Sequence, residues 1–158
     1  MTRILFVCLA NICRSPMAQS VTEAMAAARP AGPPLRAESA GLHVARGGAP
    51  PDPRALAALK RRGYAGSRVR SREIRIEDFA RFDLILAMDR MVLAELVPLC
   101  PAGERHKLEL FLDYADGRHG QEIADPYFGG AQGFENVLDL CEAGARGLLS
   151  EIDLRAGP

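Results

Sequence analysis

Cys8 and Arg14 are the residues from which this sequence can first be read for chemistry. Five residues separate them, Leu9, Ala10, Asn11, Ile12 and Cys13, and Ser15 follows at once. A cysteine thiolate is a strong nucleophile that needs a positive surrounding to stay ionised. An arginine is a planar fork able to grip two oxygens of a tetrahedral oxyanion. Together they can hold such an anion and attack its centre. The spacing alone says little. Four cysteines are present, and all 20 basic residues but Lys60 and Lys107 are arginine, so about half a match arises by chance.

The flanking elements supply the missing specificity. Ile4, Leu5, Phe6 and Val7 form a continuous apolar run, the pattern of a fully buried strand. Ser15-Pro16 opens a helix expected over residues 15–29, because proline suits a first turn, and Pro30 ends it. A strand, a short loop and a helix N-terminus gather backbone N–H groups and the positive end of the helix dipole around one point. A thiol placed there has its charged form stabilised.

The remaining elements alternate in the same way. Residues 35–39, 82–88 and 106–112 read as strands. Asp52-Pro53 starts a helix with Leu56 and Leu59 turned inward and Gly63 near its end. Asp89 caps another over residues 90–99, and the last covers 132–154 with Phe134, Val137, Leu138, Cys141, Leu148 and Leu149 as its apolar set. Strands alternating with helices predict a three-layer α/β fold with a parallel sheet between helices. The Cys8 loop then lies at the C-terminal edge of that sheet, where open α/β sheets place ligands. With 158 residues and no linker, repeat or low-complexity tract, one domain over residues 1–158 is expected.

Bulk properties exclude several classes. The formal net charge of +0 offers no field for nucleic acid or a membrane surface. No stretch approaches the ~20 apolar residues of a membrane span, and the short run after Arg3 lacks the cleavage site of a signal peptide. Cys8, Cys13, Cys100 and Cys141 are irregularly spaced, which favours free thiols in a reducing compartment and hence a cytoplasmic location. His43, His106 and His119 stand apart from them and from each other, so neither a metal nor a cofactor is expected. Arg68, Arg70, Arg72 and Arg75 form either a solvated surface segment or a basic collar near an acidic ligand.

Cleaving an ester of such an anion requires a proton donor for the leaving oxygen. Asp113, Asp116 and Asp125, between the fourth strand and the last helix, all qualify. Pro126 restricts the backbone of Asp125 to extended geometry, but Asp-Pro also simply marks turns. The residues alone leave the choice open.

The run Val7-Cys8-Leu9-Ala10-Asn11-Ile12-Cys13-Arg14-Ser15-Pro16 resembles the phosphate-binding loop of the low-molecular-weight protein tyrosine phosphatases, and the chain resembles that family from Ile4 to about Leu149. The resemblance implies a flavodoxin-like sheet in the order 2-1-3-4. It implies metal-free hydrolysis of phosphotyrosine through a phosphocysteine on Cys8, releasing inorganic phosphate. Leu9, Ala10, Asn11, Ile12, Cys13 and Arg14 would bind the phosphate, and Ser15 would donate to the thiolate. Asp125 of Asp125-Pro126-Tyr127 would be the general acid and base, and Tyr127 the aromatic wall of the cleft. Ser39 of Ser39-Ala40-Gly41 would bond Asn11, and Cys13 could be a redox partner of Cys8. The partner implied is a phosphotyrosine protein, with a bacterial tyrosine kinase as one candidate.

The chain departs from the family pattern in places. Ala10 stands for a glycine, which matters if that position needs a positive φ. Ala45 and Arg46 stand for a Trp-His pair on the cleft rim, and Val69 for a histidine that supports the loop. Phe128 reads as core. Two rivals remain: arsenate reductase on the same fold, which needs relay cysteines that Cys100 and Cys141 do not match, and a non-catalytic phosphoprotein-binding module, which need not keep Cys8 or Asp125.

Overall fold

In a computed structural model that describes residues 1–157, four strands form one parallel sheet in the order β2-β1-β3-β4. They are β1 (Thr2–Cys8), β2 (Leu35–Gly41), β3 (Leu84–Ala87) and β4 (Leu108–Leu110). Five α-helices connect and cover them: α1 (Arg14–Ala27), α2 (Pro53–Arg61), α3 (Ile76–Arg81), α4 (Arg90–Leu99) and α5 (Ala131–Ala156). The expected fold class and strand order are both present.

The apolar run of β1 is buried on both faces, and its period of two divides the core. Ile4, Phe6 and Cys8 point into a cluster with Met17 and Val21 of α1 and with Phe134, Val137, Cys141 and Leu148 of α5. Leu5 and Val7 point to the other side, against Phe79 of α3 and Val92 and Leu96 of α4. Each such side chain, fully removed from water, contributes about 1.5–3 kcal/mol. Parallel register sets Phe6 between Ser39 of β2 and Leu86 of β3. Because β1 connects to β2 on one side and β3 follows on the other, the chain reverses its order beside Cys8, leaving a crevice there.

The sheet differs from expectation at its edges. The fourth strand is limited to Leu108–Leu110, because residues 102–107 and 111–114 are 3-10 turns. Phe111 and Leu112 are both buried, which a strand exposed on one face cannot arrange but a turn wedged under α5 can. That wedge needs glycine on α5: a Cβ at Gly147 would overlap the Tyr114 carbonyl oxygen, and one at Gly144 would press on the Phe111 ring. The six residues of α3 show no usable periodicity and were not expected; Asp78 starts that helix by accepting the Arg75 N–H at 2.8 Å.

Candidate active site

The loop after β1 wraps around the Cys8 sulfur. Asn11 has a φ of 56°, the one positive value at a non-glycine position among the described residues. This left-handed turn sends the Asn11 N–H back to the Cys8 Sγ at 3.3 Å. Asparagine tolerates that conformation better than most residues. Ala10 has no positive φ, so its methyl group meets no such penalty. The Asn11 side chain completes the clamp: its Nδ2 donates to Ser15 Oγ at 2.9 Å, and its Oδ1 accepts the Arg72 N–H at 3.0 Å. Ser15 Oγ, receiving that proton, keeps its own for Cys8 Sγ at 3.0 Å or, more distantly, the Ala40 carbonyl at 3.4 Å.

Ser39 is elsewhere engaged. It lies in β2 and donates to Gln19 Oε1 at 2.8 Å, so the expected bond to Asn11 is replaced by the one from Arg72. The physical reason is the register, which sets Ser39 opposite Phe6, two residues short of Cys8. The backbone N–H of Arg72 also supplies the loop support that Val69 cannot.

The first turn of α1 has no side-chain cap and no acidic residue. Its N–H groups are thus left for an anion. Arg14, 2% exposed, opens this helix, and a buried guanidinium must be paired. Its Nη1 donates to Asp89 Oδ2 at 2.6 Å and to the Ile123 carbonyl at 2.9 Å. Its Nη2 stands 3.7 Å from Asp125 Oδ2, on the side of the cleft. Asp89, expected only as a cap of α4, does cap it, with Oδ1 accepting the Val92 N–H at 2.7 Å. Its second oxygen serves Arg14, a role that the neighbouring position of β3 could have disclosed.

Asp125 is 40% exposed, with Oδ1 accepting the Tyr127 N–H at 3.1 Å. A cleft of 240 Å3 brings it together with Cys8, Leu9, Ala10, Ile12, Cys13, Arg14 and Tyr127, while Ala45 lines the far rim. Asn11 and Ser15 stand behind the loop rather than in the cleft. Asp113 accepts from the Gly120 N–H at 2.7 Å and neither it nor Asp116 lines the cleft. The four collar arginines do not reach it either; Arg72 pairs with Asp78 at 2.8 Å.

Phe128 corrects a second expectation. It is 96% exposed and lines the cleft, its ring edge-on to Tyr127 at 4.9 Å. The turn closed by Gly129 N–H to the Pro126 carbonyl, at 3.0 Å, carries residues 127 and 128 outward at its tip. Cys13 lines the cleft from below. Burial raises its thiol to about 12, with the Asp52 and Asp125 charges adding to the effect. A larger depression of 600 Å3, between the C-terminal parts of α1 and α5, is lined by Met25, Arg29, Arg146 and Leu149 among others and holds no cysteine.

A family model of low molecular weight phosphotyrosine protein phosphatases matches residues 3–156. The chain belongs to that family. This member is 37% identical over 153 residues to a low molecular weight protein-tyrosine-phosphatase of Streptomyces coelicolor, covering 95% of this chain and 93% of the relative. It is 38% identical over 154 residues to the low molecular weight phosphotyrosine protein phosphatase of Homo sapiens, covering 94% of each. A crystal structure of a protein tyrosine phosphatase from Entamoeba histolytica superposes with a TM-score of 0.92 at 33% identity, over 99% of both chains. In this member Ala45 lines the cleft, and Phe128 projects beside Tyr127.

Proposed function

We propose that this phosphatase, acting as a single domain, hydrolyses phosphotyrosine in proteins, and small aryl phosphates, through a phosphocysteine on Cys8. The supporting observation is the Cys8 Sγ itself. It receives donors from Asn11 N–H and Ser15 Oγ in a cleft that also holds Arg14 and Asp125. Cys8 attacks phosphorus in line. Arg14 Nη2 and the loop N–H groups from Leu9 to Cys13 take up charge on the equatorial oxygens. Asp125 gives its proton to the leaving phenolate, then takes one from the water that displaces Cys8 and releases inorganic phosphate. Ser15 keeps the departing thiolate solvated in that second step. Tyr127 and Phe128 receive the phosphoaryl ring and its flanking residues.

The substrates would be cytoplasmic phosphotyrosine proteins, a bacterial tyrosine kinase among the candidates. Cys13 would capture Cys8 after peroxide has converted it to the sulfenic acid, forming a disulfide and releasing water. Thiol then restores activity in wild type and not in Cys13→Ala.

The reading is tested by hydrolysis of an aryl phosphate and a phosphotyrosine peptide in EDTA. Turnover is expected in the wild type, none in Cys8→Ser, and a loss of about 10²-fold in Asp125→Asn. Wild type that binds the peptide without turnover would establish the binding module instead. Arsenate reduced at the expense of a dithiol would establish the reductase.

A further inference from the structure

Residues 8–14 and 125–129 come from opposite ends of the chain, yet the reaction needs their side chains at a fixed separation. Their direct contact is thin: Arg14 Nη2 and Asp125 Oδ2 stand 3.7 Å apart. The front of the second segment is tied at Ile123, whose carbonyl accepts from Arg14 and whose N–H donates to the Met88 carbonyl at 2.9 Å. Beyond Asp125 the turn protrudes into solvent, and its own bonds are local.

Arg54, in the first turn of α2, reaches the back of that turn. Its Nη2 donates to the Tyr127 carbonyl at 3.0 Å and its Nη1 to the Gly129 carbonyl at 3.4 Å. The guanidinium carbon lies 5.4 Å from the Tyr127 ring centroid and 4.7 Å from that of the buried Phe134. Asp52 holds the other side of the fork, accepting Arg54 Nε at 3.1 Å and Nη2 at 3.0 Å. Asp52 is in turn fixed to the nucleophile loop, its N–H donating to the Ile12 carbonyl at 2.8 Å. A continuous path therefore runs from Ile12 through Asp52 and Arg54 to Tyr127 and Gly129.

We propose that Arg54 is a positioning residue: braced by Asp52 against the nucleophile loop, it sets the distance between Asp125 and the ester oxygen that leaves phosphorus as Cys8 attacks. The two anchors bracket Asp125, Arg14 at Ile123 before it and Arg54 at Tyr127 and Gly129 after it. Arg54 touches neither the nucleophile nor the anion. Its loss leaves the phosphate cradle intact and displaces the turn that carries Asp125 and Tyr127.

This rests on the assignment of Asp125 as general acid, and leaving-group dependence separates the two claims. The kcat/KM of wild type, Asp125→Asn, Arg54→Met and Arg54→Lys is measured on aryl phosphates whose phenols range from strongly activated to unactivated phenol. A displaced acid matters most where the leaving oxygen is most basic. Arg54→Met should lose about 10- to 30-fold on phenyl phosphate and under about 3-fold on the most activated ester. Inhibition by inorganic phosphate and the iodoacetate alkylation rate of Cys8 should stay within about 2-fold of wild type. Arg54→Lys keeps the charge against Asp52 but not the fork to two carbonyls, and should steepen the dependence by an intermediate amount. If Arg54→Met does not fold, the lysine variant reads the same slope. A uniform loss across the series, or none, overturns the role of Arg54. An unchanged slope in Asp125→Asn overturns the assignment of the acid and this inference with it.

Discussion

Residues 8–15 and residues 125–129 face each other across one cleft and are built on different terms. In the first segment, donors and acceptors close on each other inside the fold: Asn11 to Cys8 and Ser15, Arg72 to Asn11, Arg14 to Asp89. In the second, Asp125 is 40% and Phe128 96% exposed, and the backbone is held from outside by Arg54, with Arg14 holding Ile123 just before it. On the proposed mechanism, the difference follows from what each must do. A cradle for phosphate works by being fixed before the anion arrives, since donors already aligned need no reorganisation. A proton donor must meet leaving groups of many shapes and later address a water molecule, so it sits where solvent and substrate can pass.

The contrast predicts that damage to the two segments will look different. Cys8→Ser, which removes the nucleophile, should abolish turnover by more than about 10⁴-fold while leaving phosphate binding in place, checked by inhibitor titration. Asp125→Asn should cost about 10²-fold and leave the unfolding midpoint unchanged, because its side chain closes no buried network.

Asn11 permits a finer cut, since backbone and side chain can be separated. Asn11→Gly keeps the left-handed turn but frees Ser15 Oγ and the Arg72 N–H, at about 1–3 kcal/mol. Asn11→Ala should cost about 1 kcal/mol more, through the positive φ alone. Chemical denaturation of the pair measures the difference; equal stabilities would show that the turn relaxes. Phe128→Ala should do least: no change in stability, and a rise in KM for phosphopeptides of under about 5-fold with kcat unchanged.

The thiols give the comparison a pH axis. Burial raises Cys13 to about 12 and also raises Cys141 and Cys100. The folded chain therefore holds protons that the unfolded chain releases above about pH 8.5. Stability from these groups is complete below that pH and lost as pH rises toward the folded values. The slope reaches at most about 1.4 kcal/mol per pH unit for each thiol. Thermal midpoints measured from pH 8 to 10 should fall, and less so in Cys141→Ala corrected for its cavity. At pH 7, iodoacetate should label Cys8 well ahead of Cys13, read by peptide mass.

How much of this was legible in the sequence depends on whether the signal was local. The β1 run, the proline in the first turn of α1 and the alternation of elements carry their own patterns, and sheet order and the Cys8 loop followed from them with the family resemblance. Ser39, Phe128 and Asp89 did not. Ser39 turned on a register that set it beside Gln19, Phe128 on a turn that reversed its side, and Asp89 on a second carboxylate oxygen that a cap does not need. Arg54 was least visible of all, since each of its partners lies on another segment except Asp52.

Asp89 couples two events that are usually separate. One oxygen closes the first turn of α4 and the other holds the guanidinium that faces the anion. Local melting of α4 would therefore disarm Arg14 before the rest of the chain opened, and an occupied cradle would hold α4 shut. Binding becomes audible outside the cleft: the Val92 amide, which does not line it, should exchange its hydrogen more slowly when phosphate is present than when it is not.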